Sequence, residues 1–201
     1  CEKDYHKRHV KYERQPWFGC ACCPPNLVRL LTSLEQYVYA SSEDSLYVHL
    51  YVSGNAKMTV GAGEIGIQTQ TRYPWDGDIA FKLDMSNPQS FGLRLRIPGW
   101  CRDYSLTVNG TPCACQMDNG YACVHRQWKD GDLVQLRLSM PVMLYKANPR
   151  IAEDVGKVAV GRGPIVYCLE EIDNGSDLHL VRMSGASPED FSARVEPDLL
   201  G

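Results

Sequence analysis

No apolar run in these 201 residues approaches the ~20 needed for a membrane-crossing helix, so the sequence offers no candidate span. It also lacks an excess of either charge. Against 21 Lys and Arg stand 24 Asp and Glu, a net charge of −3 with a pI near 6.0, which argues against a nucleic acid or a membrane surface as partner. The basic residues are scattered, apart from Lys7-Arg8-His9-Val10-Lys11, which fits a solvated loop better than a phosphate site. There is no initiating Met. The chain starts at Cys1 and stops at Gly201 after an acidic, irregular stretch, so it is expected to be a piece of a longer polypeptide, long enough for one to two domains. No leader is visible, and with the start of the parent missing that absence carries little weight. No internal repeat and no low-complexity segment stands out. Even pairing of thiols is excluded too, because the cysteines number nine, in a chain too large for a small disulfide-stapled module. Unpaired thiols favour a reducing, cytoplasmic setting, although a zinc-protected cluster would survive in a periplasm. Cys101, Cys113, Cys115, Cys123 and Cys168 are expected as mostly buried thiols in strands. Cys113-Ala114-Cys115 with Cys123 is an alternative metal set, but strand alternation already accounts for its spacing.

What the sequence does have is Cys20-Ala21-Cys22-Cys23-Pro24-Pro25-Asn26. Packing does not require three cysteines within four positions. Neighbouring side chains point apart, so Cys22 and Cys23 do not readily bond to each other. Both can reach one soft metal ion, or one can act as an activated nucleophile. The prolines stiffen the backbone next to them and limit the entropy lost in holding the sulfurs. Leu27, Leu30, Leu31 and Leu34 then fall at i, i+3, i+4 and i+7, which predicts a helix over Asn26–Glu35 with a proline in its first turn. The cysteines therefore sit at a helix N-terminus, where the dipole and free N–H groups favour thiolate.

From Tyr37 onward the apolar period is two. Strands are predicted over residues 46–52, 65–71, 79–83, 93–97, 105–108, 121–125 and 133–138, with Asn109-Gly110 as a hairpin turn and Asp130-Gly131 as a second turn. Short strands at roughly ten-residue spacing predict an antiparallel β-sandwich or barrel. Pro141 closes that module. Residues 158–160 and 165–169 open another sheet that stops before it could bury a core of its own.

Trp17-Phe18-Gly19 followed by the cysteine cluster through Asn26 resembles the signature of glycoside hydrolase family 127, whose characterised members are β-L-arabinofuranosidases. The segments Gly156–Cys168 and Arg96-Ile97-Pro98-Gly99-Trp100 agree with it in the same order. The resemblance implies a mainly β chain: residues 1–38 as the end of an (α/α)6 catalytic barrel, 39–142 as an antiparallel β-sandwich, and 143–201 as the incomplete beginning of a second β-sandwich. It implies retaining hydrolysis of β-linked L-arabinofuranose in plant-derived glycans, with zinc as cofactor. Cys22 matches the zinc-bound nucleophile and Cys23 a ligand only. The other ligands, a Glu and a Cys in a Glu-X-Cys pattern, and the Glu acid/base are expected upstream of this chain. Cys1-Glu2 has the wrong order to replace them, and Glu13 matches no role. On this basis the isolated chain is expected to be inactive, its partner an arabinofuranose-containing oligosaccharide, and the full-length protein a homodimer.

Several residues keep two readings. Cys20 is a structural thiol or a neighbour of the metal site on one reading and a metal ligand on the other. Trp17 and Phe18 form a sugar-stacking wall or pack beside the barrel floor, and His6, His9 and Tyr12 lie on the loop entering the site. His49, His125 and His179 are expected in or beside strands as surface or satisfied core residues, and Trp75 and Trp100 as caps on sandwich cores. The rival function is a non-catalytic carbohydrate-binding or structural module with a thiol metal site. Against it, no strand shows an aromatic row.

Overall fold

The computed structural model describes residues 22–183 and 185–196. Its first element is a helix, α1 (Cys23–Ser33), with Pro24 and Pro25 in the opening turn, where a missing N–H leaves no helix bond unmade. A 3-10 turn over Leu34–Tyr37 carries the chain off the helix and into the first sheet.

Twelve strands then follow at short intervals: β1 (Tyr39–Ser41), β2 (Ser45–Val48), β3 (Gly54–Val60), β4 (Gly63–Thr71), β5 (Asp78–Asp84), β6 (Gln89–Arg96), β7 (Tyr104–Val108), β8 (Thr111–Pro112), β9 (Gln116–Asp118), β10 (Tyr121–Trp128), β11 (Leu133–Leu138) and β12 (Val142–Tyr145). Two more, β13 (Ala159–Arg162) and β14 (Ile165–Tyr167), precede a single helical turn, α2 (Glu171–Asn174). The first sheet runs β1-β2-β6-β10-β9 and the second β3-β4-β5-β11-β7-β8, while β12-β13-β14 form a small third sheet.

The first two sheets share one apolar core. Leu46, Phe91, Leu93 and Trp128 from the first sheet and Ile65, Phe81, Leu83 and Val134 from the second are fully or almost fully buried in the same cluster. The alternation read from the sequence produces this directly, because successive side chains in a strand face opposite sides. On β11, for example, Val134, Leu136 and Leu138 point inward and Gln135 and Arg137 outward. The polar groups within the core are matched. Trp128 Nε1 donates to the Phe91 carbonyl at 3.0 Å, and the Tyr51 hydroxyl donates to the Arg96 carbonyl. The Tyr39 and Thr69 hydroxyls share a bond of 2.7 Å.

The mainly β fold and the antiparallel sandwich agree with the sequence reading, with local differences. β2 pairs with β6 in parallel, because the chain leaves β2 for the opposite sheet before β6 returns beside it. β2 stops at Val48, short of the predicted 52. β3 was not foreseen: Ala56, Met58 and Val60 alternate toward the core, but Gly54, Asn55 and the small Ala56 weaken the signal at its start, and the ladder with β4 completes the order. At the β7–β8 turn Asn109 and Gly110 have φ of 50° and 78°, the left-handed pair that Asn-Gly predicts. Asn119 and Gly120 repeat it between β9 and β10. Among the described residues, the third sheet contributes no side chain to this core, and within β13 only Gly161 is buried.

Candidate active site

Cys22 occupies the cap position of α1 with helical backbone angles (φ −68°, ψ −35°), and its side chain makes no capping hydrogen bond. Cys23 is the first helical residue, and both side chains are exposed. Their Sγ atoms lie 3.7 Å apart. Two thiolates bound to one tetrahedral zinc at about 2.3 Å are about 3.8 Å apart, a spacing that this pair matches. Asn26, one turn along, donates from Nδ2 to the Cys22 carbonyl at 3.0 Å and pins the backbone that carries the first sulfur. That bond was not foreseen, although an Asn four residues after the first thiol is the spacing that signals it. Among the described residues, no group of three or more His, Cys, Asp or Glu comes together to hold a metal. Cys22 and Cys23 therefore fit two positions of a zinc site and would need further donors. Cys20, Trp17, Phe18, His6, His9, Tyr12, Glu13 and Cys1-Glu2 lie outside the described residues.

The sandwich cysteines differ from the expectation of buried strand thiols. Cys101 is buried but sits in a loop, donating to the Asp103 carbonyl at 3.1 Å. Cys113 and Cys115 are half-buried in the link between β8 and β9, so strand alternation does not explain their spacing. Cys115 meets the Tyr104 hydroxyl at 3.3 Å, and that hydrogen bond, with burial, pushes the Tyr104 hydroxyl up to about 12. Cys123 is half-buried on β10, and Cys168 is exposed just past β14. Burial pushes the Cys101 thiol up, and it does the same to Cys123 against the opposing pull of the Arg94 guanidinium. Both are therefore held toward the neutral thiol, which neither attacks nor binds metal well.

The other candidates resolve individually. His49 Nδ1 and the Tyr121 hydroxyl share a bond of 2.7 Å, so His49 is satisfied, and His125 is exposed on β10. His179 lies in a 3-10 turn over Leu178–Leu180 rather than beside a strand. Trp100 is half-buried and stacks on Tyr73 with ring centroids 6.5 Å apart, as a cap should. Trp75 is 60% exposed and is not among the described residues packed on the core, unlike the expected cap. An aromatic group does exist on the outer face of the first sheet: Tyr47 and Tyr121 meet edge to face at 5.7 Å, with Arg94 over the Tyr47 ring at 5.3 Å. It spans β2, β6 and β10, so spacing along a single strand does not reveal it.

Comparison with known proteins adds to this geometry. Residues 45–140 match the model of the beta-L-arabinofuranosidase GH127 middle domain, and 142–196 that of the glycoside hydrolase family 127 C-terminal domain. The non-reducing end beta-L-arabinofuranosidase of Bifidobacterium longum subsp. longum is 36% identical over 202 residues, covering 97% of this chain and 30% of that enzyme. The crystal structure of a GH127 beta-L-arabinofuranosidase from Geobacillus stearothermophilus T6 superposes with a TM-score of 0.77 at 47% identity, over 87% of this chain and 28% of that one. A second GH127 beta-arabinofuranosidase structure gives 0.74 at 43% identity, over 81% of this chain and 28% of the other. The sandwich and the small third sheet thus match the β domains of a glycoside hydrolase class, while the helix end and its vicinal thiols precede the matched residues. The chain is a member of glycoside hydrolase family 127, carrying that family's middle and C-terminal domains. It spans about three-tenths of the length of these relatives.

Proposed function

We propose that this chain is part of a retaining glycoside hydrolase that releases β-linked L-arabinofuranose from plant-derived oligosaccharides, with Cys22 as nucleophile and Cys22 and Cys23 as zinc ligands. The observation that carries the proposal is the vicinal thiol pair at the start of α1, with its sulfurs 3.7 Å apart, in a chain of this family. Zinc, when bound, would keep the sulfurs as thiolates at neutral pH. Cys22 Sγ attacks the anomeric carbon, forming a carbon–sulfur bond as the glycosidic carbon–oxygen bond breaks. A carboxylic acid contributed from outside these residues gives its proton to the departing oxygen. Water, deprotonated by the resulting carboxylate, then displaces the sulfur and restores both groups, with net retention at the anomeric carbon.

The chain's own residues favour that sequence. Pro24 and Pro25 fix the turn following the sulfurs, and Asn26 holds the Cys22 carbonyl. Neither sulfur is used as a helix cap, so both remain available to a ligand and a substrate. In the intact protein, Cys22→Ser is expected to lower kcat on an aryl β-L-arabinofuranoside by at least about 10³-fold while the protein stays folded. A variant retaining near-native turnover would remove Cys22 from the role of nucleophile. The rival, a module with no catalytic part, predicts that no Cys22 or Cys23 substitution alters hydrolysis.

A further inference from the structure

The outer face of the second sheet carries a groove with no part in the cysteine chemistry. Strand register puts Gln70 beside Ala80, Ala80 beside Gln135, and Gln135 beside Thr107, a single row across β4, β5, β11 and β7. At ~4.8 Å between strands that row is about 14 Å long. Asp78, Arg137 and Ser105 form a second row next to it. Ala80 is the small residue between two glutamines, and its short side chain leaves the floor of a groove of about 690 Å³. The groove continues past Asp76, Asp78 and Arg137 into a second hollow of about 540 Å³ that reaches Arg162.

Trp75 lies in sequence between Arg72 and Asp76, which line this groove, and is itself outside the lining, exposed beside it. Its loop is braced on several sides. Tyr73 packs edge to face on Tyr51 at 5.7 Å as well as stacking on Trp100. Arg72 Nε pairs with Asp76 at 2.7 Å, and the Trp75 N–H donates to the Arg72 carbonyl at 2.8 Å. Arg162 Nη1 donates to the Trp75 carbonyl at 2.8 Å. An indole left in solvent on a loop this constrained gains contact area with little further loss of entropy.

The lining specifies the ligand. Arg137 is 3.6 Å from Asp78, and Arg72 and Arg162 are occupied as described, so the cations along the groove are already engaged and do not favour an anion. The remaining groups are amides and hydroxyls that both donate and accept, with Thr107 Oγ1 donating to Gln135 Oε1 at 3.3 Å. Among the described residues of β4, β5 and β11, no large apolar side chain faces outward there, and Trp75 is the exposed ring beside the groove.

We propose that this groove is a carbohydrate-binding site that takes a neutral oligosaccharide, its hydroxyls bonded by Gln70, Gln135 and Thr107 and one sugar ring stacked on Trp75. The assignment is independent of the roles of Cys22 and Cys23. The test is titration of intact protein carrying Cys22→Ser, so that the probe is not consumed, with linear arabino- and xylo-oligosaccharides, read by calorimetry and indole fluorescence. Saturable binding of at least one probe is expected. Ala80→Gln, which fills the floor, should weaken it about tenfold or more, as should Trp75→Ala and Gln135→Ala. Trp75 and Gln135 are exposed and Ala80 is half-buried with its side chain on the outer face, so all three variants are expected to keep the parent's unfolding midpoint. No saturable binding of either probe, or binding that keeps its affinity to within about twofold in both Ala80→Gln and Trp75→Ala, overturns the proposal.

Discussion

Asp132 is a buried carboxylate at the start of β11, accepting from Asn109 Nδ2 at 2.9 Å and from the Lys129 N–H at 3.0 Å. Burial alone would raise its pKa. The two hydrogen bonds and the nearby Arg126 and Lys129 charges outweigh that and hold it below the ordinary 3.8. The folded protein therefore releases this proton more readily than the unfolded chain. The stability it contributes is complete above pH 3.8 and is lost as pH falls through the folded value. Urea midpoints measured between about pH 2 and 6 should fall at the acid end, and less steeply in Asp132→Asn. Trp128 is wholly buried and donates to the Phe91 carbonyl. Trp128→Ala should cost roughly 3–5 kcal/mol in urea unfolding, from the lost apolar contact and the cavity, with an added contribution from the unpaired carbonyl. A cost below about 1 kcal/mol would contradict its place at the centre of the core.

At the scale of elements, turns decide which strands can pair. Gly110, with φ of 78°, closes the β7–β8 hairpin, and a side chain there is strained even though nothing nearby would touch it. Gly110→Ala should cost about 1 kcal/mol, in a denaturant midpoint shift with unchanged m-value. Gly77 differs in kind. A Cβ there would come within 2.0 Å of the Leu138 carbonyl, so Gly77→Ala must move β5 away from β11 or open the loop bearing Trp75. Legibility followed the same division. β11 was readable to the residue because Leu133–Leu138 alternates cleanly, and α1 was readable from its leucine spacing and prolines. β3 was not, because its alternation is short, Ala56, Met58 and Val60 after a polar start at Gly54 and Asn55, and the ladder with β4 completes its order. The parallel β2–β6 pair and the Tyr47–Tyr121 contact were hidden for a related reason, since both join residues far apart in sequence. Cys113 and Cys115 mimic strand alternation while lying in a link, so period two over three residues was too short to decide.

At the scale of the whole molecule, α1 stands apart from the sandwich. Leu27, Val28, Leu30 and Leu31 are 53–59% exposed, and no residue of the helix is buried. Within this chain, Leu27→Ser and Leu31→Ser should leave stability within about 0.5 kcal/mol, measured by urea unfolding. In a protein extending to the length of the relatives, the same changes should cost about 2–5 kcal/mol if the helix packs on further helices. Equal, small effects in both would show that the helix has no apolar partner. The candidate site was legible only as a pattern of sulfur, proline and asparagine. The zinc chemistry proposed for it would need donors beyond Cys22 and Cys23, and among the described residues none joins them.

The central claim is that Cys22 and Cys23 hold zinc together. Elemental analysis of the intact protein, beside Cys22→Ala and Cys23→Ala, tests it most directly. One zinc per chain in the parent, lost or markedly weakened in each variant, is the expected result. A parent that holds no zinc after reduction and repletion, or variants that keep it fully, would contradict the account.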